Sequence, residues 1–313
     1  MLLAAIVLGL LAVALAAPVP IVLARAHWPS RAPATALLLW ESVALAGGVS
    51  IIGSLLCFGL LPFGDTLPQA IAGLGGYLNG AAVPSQATFG HWLALCGAVI
   101  LAGHLLLNLA ATSFITERQR RRHHNLIALL SDPLPDRPGF RVIDYPAPVA
   151  YCLPGVTQSA TVLSAGLLTI LDTEQLRGVI AHEQAHLQQK HHLVLLAFKS
   201  WRSALPWFPI ANRAQIAVAL LVELLADDRA RQVVDDRTLA TAIVLVGSAN
   251  PNGVSPVAAG DPGALSGDPV NLVAPRVQRL VDPPAALTAT ARWGISTAAA
   301  ALLATPPVLL LLA

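Results

Sequence analysis

The sequence has little charge for its length. Lys, Arg, Asp and Glu make up 12% of the 313 residues, whereas soluble globular domains carry about a quarter. Hydrophobic residues reach 55%. These proportions exclude a disordered chain, a collagen-like repeat and an ordinary soluble enzyme. The net charge of +2 is too small to indicate a nucleic-acid surface, so we expect no direct nucleic-acid binding.

Cysteine and methionine are also scarce. The three cysteines, Cys57, Cys96 and Cys152, lie far apart and form no CxxC pair. Neither a disulfide framework nor a thiolate zinc site is therefore expected. The only methionine is Met1, which excludes the Met-turn that one class of zinc peptidases requires.

Long uncharged apolar runs account for the missing charge. Four runs are each long enough to cross a hydrocarbon core of about 30 Å as a helix: residues 2–23, 42–61, 92–115 and 293–313. The first has no basic start and exceeds the apolar run of a signal peptide, which is about 7–15 residues, so we expect it to be retained. Residues 1–116 are therefore predicted to form three transmembrane helices, and residues 291–313 a fourth.

The basic residues alternate between the connections. Arg25 and Arg31 follow the first run, residues 62–91 contain no Lys or Arg, and four arginines between 118 and 122 follow the third run. Because Lys and Arg are enriched in short cytoplasmic loops, this pattern predicts that both termini lie outside and that residues 117–290 are cytoplasmic. We expect a multi-pass protein of the cell membrane, with the lipid bilayer as one partner.

The predicted cytoplasmic insert has a different composition, with 16 of the 19 basic residues. Short apolar or β-branched runs at 140–144, 149–153 and 160–163 predict a small antiparallel sheet. Asp172, with Gln175 three residues later, predicts a capped helix that runs to about residue 190. A second helix is expected over about 212–233. Residues 248–275, rich in Gly, Pro, Ser and Asn, indicate a long loop before a short helix near 277–280.

The capped helix contains an HExxH motif, His182-Glu183-Gln184-Ala185-His186. Two His residues four apart project from one helical face and can share a zinc ion, which imidazole nitrogens bind at about 2.0–2.1 Å. Glu183 lies where it can take a proton from the attacking water. Chance placement of nine His and five Glu would produce this motif in only about 0.4% of such chains, a low risk of a false match.

A catalytic zinc needs a third protein ligand and an open position for water. His192 has the spacing of the HExxHxxGxxH pattern, but Gln189 replaces its glycine. The competing interpretation of His191 and His192 is a polar helix end. Glu223 follows an apolar stretch of the later helix, where an unpaired carboxylate is costly and metal coordination would remove that cost. Asp227, one turn further, can accept the N–H of a ligand His.

The sequence therefore predicts one Zn2+ per chain, with Glu183 as general base and Asp227 beside a ligand His. The three predicted ligands are His182, His186 and Glu223. The competing interpretation of the later helix is a helix end that carries surface acids, in which Asp228 pairs with Arg229 or Arg231.

HExxH followed by ExxxD on a later helix resembles the membrane-anchored gluzincin peptidases, among them the HtpX-type heat-shock peptidases and the CAAX prenyl proteases. The order of segments is also similar, with a strand and LPG turn at 150–155 and a GLL segment at 166–168 before the HExxH helix. The number of spans resembles the BlaR/MecR-type membrane metallopeptidases, which transduce a β-lactam signal. These resemblances imply a membrane α-helical fold with an α+β zincin-like cytoplasmic domain, whose sheet packs on the zinc-binding helix.

The BlaR/MecR resemblance implies a signal-transducing zinc endopeptidase that cleaves a cytoplasmic regulator, such as a helix-turn-helix repressor. The penicillin-binding sensor domain of those transducers has no counterpart after the fourth span, so direct β-lactam acylation is not expected. HtpX-like quality control of membrane proteins is the alternative with the same chemistry. A non-catalytic receptor or scaffold is the alternative of another class, but structural zinc usually has four protein ligands. An extended substrate is expected to add to a sheet edge near 160–163.

Overall fold

The computed structural model describes residues 1–134, 139–153, 160–206, 209–249 and 272–313. The described residues are mostly helical and include one four-stranded sheet. The helices are α1 (Leu2–Ala16), α2 (Pro18–Arg25), α3 (Pro33–Leu60), α4 (Leu67–Leu78), α5 (Phe89–Leu130), α6 (Ala165–Ile170), α7 (Thr173–Gln188), α8 (His191–Ala204), α9 (Pro209–Ala230), α10 (Asp236–Ala249), α11 (Val273–Val281) and α12 (Ala289–Leu311). The strands are β1 (Ser131–Pro133), β2 (Phe140–Ile143), β3 (Ala150–Leu153) and β4 (Ala160–Ser164).

Four helical segments are long and apolar enough to cross a membrane: Leu2–Arg25, Pro33–Phe63, Phe89–Leu130 and Ala289–Leu311. They coincide with the four predicted runs, and each is longer than its run, most of all Pro33–Phe63 and Phe89–Leu130. α5 continues past residue 115 through the arginines, because residues 116–130 contain no Gly or Pro to end it. Hydropathy identifies only the part of a helix that is apolar enough to lie in lipid. The helix itself continues until residues such as Gly or Pro end it.

The chain divides into two compact units. The first contains residues 1–108, 204–214 and 287–313, and in it α1 and α12 pack along α3. Small residues allow these helices to approach closely. A Cβ atom on Gly53 would lie 3.2 Å from side-chain atoms of Leu8 and Leu310, and the Ser54 hydroxyl donates a hydrogen bond of 2.7 Å to the carbonyl oxygen of Ala5.

The second unit, residues 109–203 and 215–286, contains the sheet. The strand order is β1-β2-β4-β3. β1 and β2 are antiparallel, β2 and β4 are parallel, and β4 and β3 are antiparallel. The sheet is therefore mixed, and the prediction of an antiparallel sheet was wrong. Apolar alternation located β2, β3 and β4 to within about a residue, but it does not encode which strands pair, and β4 inserts between β2 and β3.

The two faces of the sheet pack against different helices. On one face Ala150 and Leu163 contact the core that includes Ile180 of α7 and Ala242 of α10. On the other face Tyr151, Leu153 and Val162 surround Ile127 near the end of α5; these residues form a second cluster. The Tyr151 hydroxyl also lies 3.0 Å from His123 Nε2 of α5. The sheet is thus held between the HExxH helix and the last turns of α5.

The predicted helices of the insert are present. Asp172 caps α7, and it exchanges hydrogen bonds with Gln175 as expected. α9 begins and ends three residues earlier than the predicted 212–233. Residues 250–271 of the predicted long loop lie outside the described residues. Residues 273–275, which were predicted to end that loop, instead form the first turn of α11, and α11 packs on α10 through the side chain of Leu280.

Candidate metal centre

The three predicted zinc ligands lie together, where α7 and α9 meet. His182 and His186 are one helical turn apart on α7, and Glu223 projects from α9. Their side chains are 4–7% exposed. Each offers a ligand atom, and these atoms all lie within 4.8 Å of one another. The structure therefore brings Glu223 to the HExxH helix, although it lies 37 positions after His186 in the sequence.

The separations of the ligand atoms suit a tetrahedral zinc ion. His182 Nε2 lies 3.1 Å from His186 Nε2 and 3.4 Å from Glu223 Oε2. His186 Nε2 lies 3.6 Å from Glu223 Oε1. Ligand bonds of about 2.0–2.1 Å at tetrahedral angles place ligand atoms about 3.3 Å apart. The donor set and its spacing therefore fit Zn2+ with one position left for water.

Asp227 lies beside His182, the first of the candidate ligands. Its Oδ1 is 2.9 Å from His182 Nδ1, so that nitrogen donates to the carboxylate and Nε2 faces the other two ligands. Asp227 is 1% exposed and Glu223 is 4% exposed, which rules out surface acids at these two positions. The next acid in the sequence, Asp228, is partly exposed. It pairs with Arg231 at 3.5 Å and with Arg279 at 2.7 Å.

Sequence reasoning missed the role of His191. This side chain is 2% exposed, and its Nδ1 lies 2.9 Å from His186 Nδ1, while its Nε2 lies 2.9 Å from Gln189 Oε1. The Gln189 oxygen can only accept, so His191 Nε2 donates to it and His191 Nδ1 accepts from His186. His186 therefore keeps its proton on Nδ1, and its Nε2 lone pair faces the metal position. Both ligand imidazoles are thus oriented through their second nitrogen.

The turn that delivers His191 occurs without glycine. Lys190 adopts a left-handed conformation with φ of 53°, which ends α7 and lets α8 begin at the next residue. This conformation is uncommon for a residue other than Gly, Asn or Asp. The absence of a glycine at position 189 therefore did not mean that α7 continued. His192, the alternative third ligand, is only partly buried and does not belong to the metal-binding group among the described residues.

Glu183 is buried next to the candidate ligands. It is 3% exposed, and burial raises the pKa of its carboxyl to about 8, although the positive charges of His182 and Arg276 oppose this shift. The backbone N–H of Cys152 in β3 donates a hydrogen bond to it. A carboxyl group held with a raised pKa beside a metal position is suited to accept and release a proton near neutral pH.

The two imidazoles have opposite pKa shifts. Burial and Arg276 lower the pKa of His182, but hydrogen bonds with Asp227 and Glu223 outweigh them and raise it to about 9. Burial lowers the pKa of His186 to about 3. Without metal, His182 is therefore the protonated member of the pair. Burial raises the pKa of Glu223, but Arg276 and His182 more than offset it and hold it far below its usual range.

Arg276 on α11 is the second residue that sequence reasoning missed. Its guanidinium contacts Glu223 at 2.8 Å and Asp227 at 2.7 Å, and its side chain is 12% exposed. The Gly- and Pro-rich composition before it predicted a loop, so the local sequence did not indicate that Arg276 would be largely buried. The one available signal was the predicted number of carboxylates around a single metal ion. Three carboxylates carry one more negative charge than Zn2+ balances.

The strand beside the candidate site is β3. β4 pairs with strands on both sides, so the predicted substrate edge at residues 160–163 was wrong. Among the described strands β3 pairs only with β4, and α7 packs against it. The hydrogen bond from Cys152 to Glu183 ties this strand to the candidate base. The free edge of the sheet nearest the metal position is therefore Ala150–Leu153.

Comparison with known proteins supports the assignment of a peptidase. Residues 116–245 match peptidase family M48. This segment contains the sheet, the HExxH helix and Glu223, and it ends before Arg276. The match supports a gluzincin-type metallopeptidase, and peptidases of this family are typically metal-dependent and often membrane-bound. No curated protein and no solved structure gives a significant match to the chain.

Proposed function

We propose that this chain is an integral membrane zinc-dependent endopeptidase. The observation that carries the proposal is the convergence of His182, His186 and Glu223 at the spacing of a tetrahedral zinc, beside the buried acid Glu183. The M48 match supports peptidase chemistry, and the four apolar helices support a membrane location. A structural zinc is disfavoured, because the group of candidate ligands among the described residues has three members and structural sites usually have four.

Each residue of the site has a distinct role in this proposal. Zinc would polarise the scissile carbonyl and lower the pKa of the attacking water toward about 7. Glu183 takes the proton from that water and delivers it to the leaving amine. Asp227 and His191 hold the ligand imidazoles. The substrate lies extended along β3 and adds to its free edge through backbone hydrogen bonds, so cleavage depends on an unfolded or extended segment.

The cellular role we propose is signal transduction. The basic residues that follow the third apolar run favour a cytoplasmic peptidase domain with both termini outside, and the BlaR/MecR-like arrangement of spans favours a cytoplasmic regulator, such as a helix-turn-helix repressor, as the substrate. HtpX-like quality control uses the same chemistry and differs in the number of substrates.

The first test compares the full chain, purified in detergent, with its Glu183→Gln variant. The variant should retain one zinc per chain and lose cleavage of an unfolded protein by about 10²–10⁴-fold, the usual contribution of a general base. Glu174→Gln is the matched control, because Glu174 is an exposed acid on the same helix that pairs with Arg177. A wild-type protein without zinc, or a Glu183→Gln variant that cleaves at the wild-type rate, would contradict the proposal.

The second test separates the two cellular roles. Cells that express the wild type or the inactive Glu183→Gln variant are compared by quantitative proteomics of cleaved cytoplasmic and membrane proteins. A transducer should change one regulator and the transcripts that it controls. Cleavage of many misfolded membrane proteins, without a specific transcriptional response, would favour quality control instead.

A further inference from the structure

All three nitrogens of the Arg276 guanidinium contact carboxylates of the candidate metal centre. Nη1 lies 2.8 Å from Glu223 Oε2. Nη2 lies 2.7 Å from Asp227 Oδ1, and Nε lies 2.8 Å from Asp227 Oδ2. The contact with Asp227 is therefore bidentate, and the third nitrogen reaches across to a proposed zinc ligand.

The charges of the site show why a cation is needed there. Three carboxylates, those of Glu183, Glu223 and Asp227, are each at most 4% exposed. When Glu183 has lost its proton, as a general base must, one Zn2+ would balance two of the three negative charges and leave one buried and uncompensated, which is costly in a protein interior. Arg276 supplies the remaining positive charge. With neutral imidazoles, the three carboxylates, one zinc and one arginine sum to zero.

We propose that Arg276 is a positioning residue of the metal centre, which holds the ligand Glu223 directly and the ligand His182 through Asp227. This inference rests on the proposed zinc site. Arg276 orients two of the three candidate ligands. It does so from α11, an element that lies beyond the segment matching the M48 family. Each of its three nitrogens has a carboxylate partner at the metal centre, and we therefore assign Arg276 to the ligands and not to the substrate.

A second arginine on the same helix provides a matched control. Arg279 contacts Asp228 through two bonds of 2.7 Å and 2.9 Å, so it also joins α11 to the end of α9. Its partner Asp228 is 34% exposed in its side chain and does not belong to the group of candidate ligands. Loss of either arginine weakens the attachment of α11 to α9, but only loss of Arg276 removes a contact to the metal centre.

The experiment measures zinc affinity of the full chain in detergent by competition with a chromogenic chelator, for the wild type, Arg276→Met and Arg279→Met. The expected result is about 10- to 100-fold weaker zinc binding by Arg276→Met, the usual effect of losing a partner of a metal ligand. Arg279→Met should bind zinc within about threefold of the wild type. The unfolding temperatures of both metal-free variants report any general loss of structure, and Arg276→Lys, which retains charge but cannot bridge two carboxylates, should recover only part of the affinity.

Coupling to Asp227 provides a readout that a general structural role would not change. If Arg276 acts through Asp227, Arg276→Met should weaken zinc binding less in an Asp227→Asn background than in the wild type. The absorption spectrum of the Co2+-substituted protein should also change in Arg276→Met and not in Arg279→Met. Equal zinc affinities for Arg276→Met and the wild type, or equal losses in the two arginine variants, would overturn the inference. A wild type that binds no zinc would instead overturn the proposed function.

Discussion

Replacement of His191 by phenylalanine should weaken zinc binding without unfolding the protein. Phenylalanine fills most of the space of this buried ring but offers no acceptor to His186 Nδ1, which lies 2.9 Å from His191 Nδ1 in the native protein. In the metal-free variant, His186 can move its proton to Nε2 and donate it to the Nε2 of a neutral His182, which lies 3.1 Å away. Zinc needs that Nε2 lone pair, so binding would force the proton back onto Nδ1, where it has no partner.

The expected loss follows from the cost of that unpaired donor. A buried donor without an acceptor costs about 1–3 kcal/mol, which corresponds to about 5- to 150-fold in affinity. The range agrees with the 10- to 100-fold effect usual for partners of metal-binding His residues. The cost arises on metal binding, because the metal-free protein avoids it by changing tautomer. The unfolding temperature of the metal-free variant should therefore fall only slightly, because the free-energy cost of the unpaired donor appears when zinc binds.

The assay is chelator competition at pH 7.5 with the wild type, His191→Phe and His192→Phe. His192 is the neighbouring residue on α8, is only half buried, and belongs to no metal-binding group among the described residues, so its variant should bind zinc like the wild type. The reasoning is refuted if His191→Phe binds zinc within twofold of the wild type. It is also refuted if both variants lose affinity equally.

Two further predictions follow from the structure. Because the pKa of His182 is raised to about 9 in the metal-free protein, this residue is protonated below pH 9 and zinc must displace its proton. Calorimetry in buffers of different ionisation enthalpy at pH 7 should show at least about one proton released per zinc. The zinc affinity should fall about tenfold per pH unit as the pH drops from 8 to 6. Release of less than half a proton per zinc would contradict this prediction. Replacement of Gly166 by alanine should destabilise the protein by about 1–3 kcal/mol or more, because a Cβ there would lie 1.9 Å from the carbonyl oxygen of Pro146. Gly294→Ala, where a Cβ meets nothing within 4 Å, is the control, and equal thermal stability of the two variants would show that the contact is not required.

Features that depend on local periodicity could be predicted from the sequence. The HExxH spacing places two imidazoles on one face because a helix repeats every 3.6 residues, and the apolar stretch before Glu223 indicated a buried carboxylate. Asp227, one turn further on, followed from the same repeat. Apolar runs and a capping pair likewise located the long helices and the start of α7. In each case the physical cause lies within about two helical turns of the residue concerned.

Features that depend on tertiary packing could not be predicted in this way. Arg276 is 49 residues from its partner Asp227 and follows a segment whose composition indicated a loop. His191 becomes a partner of His186 only because Lys190 adopts a left-handed conformation, which no common signal in the sequence marks. The pairing of β2 with β4 likewise depends on how the strands assemble and not on their own alternation.

The buried charges of this unit are better explained by a metal than by stability. Ion pairs removed from water often contribute no more stability than well-packed apolar residues of similar size. A chain that is 55% hydrophobic has many such residues, yet at this one place it buries three carboxylates, an arginine and three imidazoles. Near neutral pH the metal-free site balances its charges with protons, because Glu183 keeps its proton and the protonated His182 and Arg276 face Glu223 and Asp227. A divalent cation at the His182–His186–Glu223 position would displace the protons of His182 and Glu183, and the cation, Arg276 and the three carboxylates would again sum to zero.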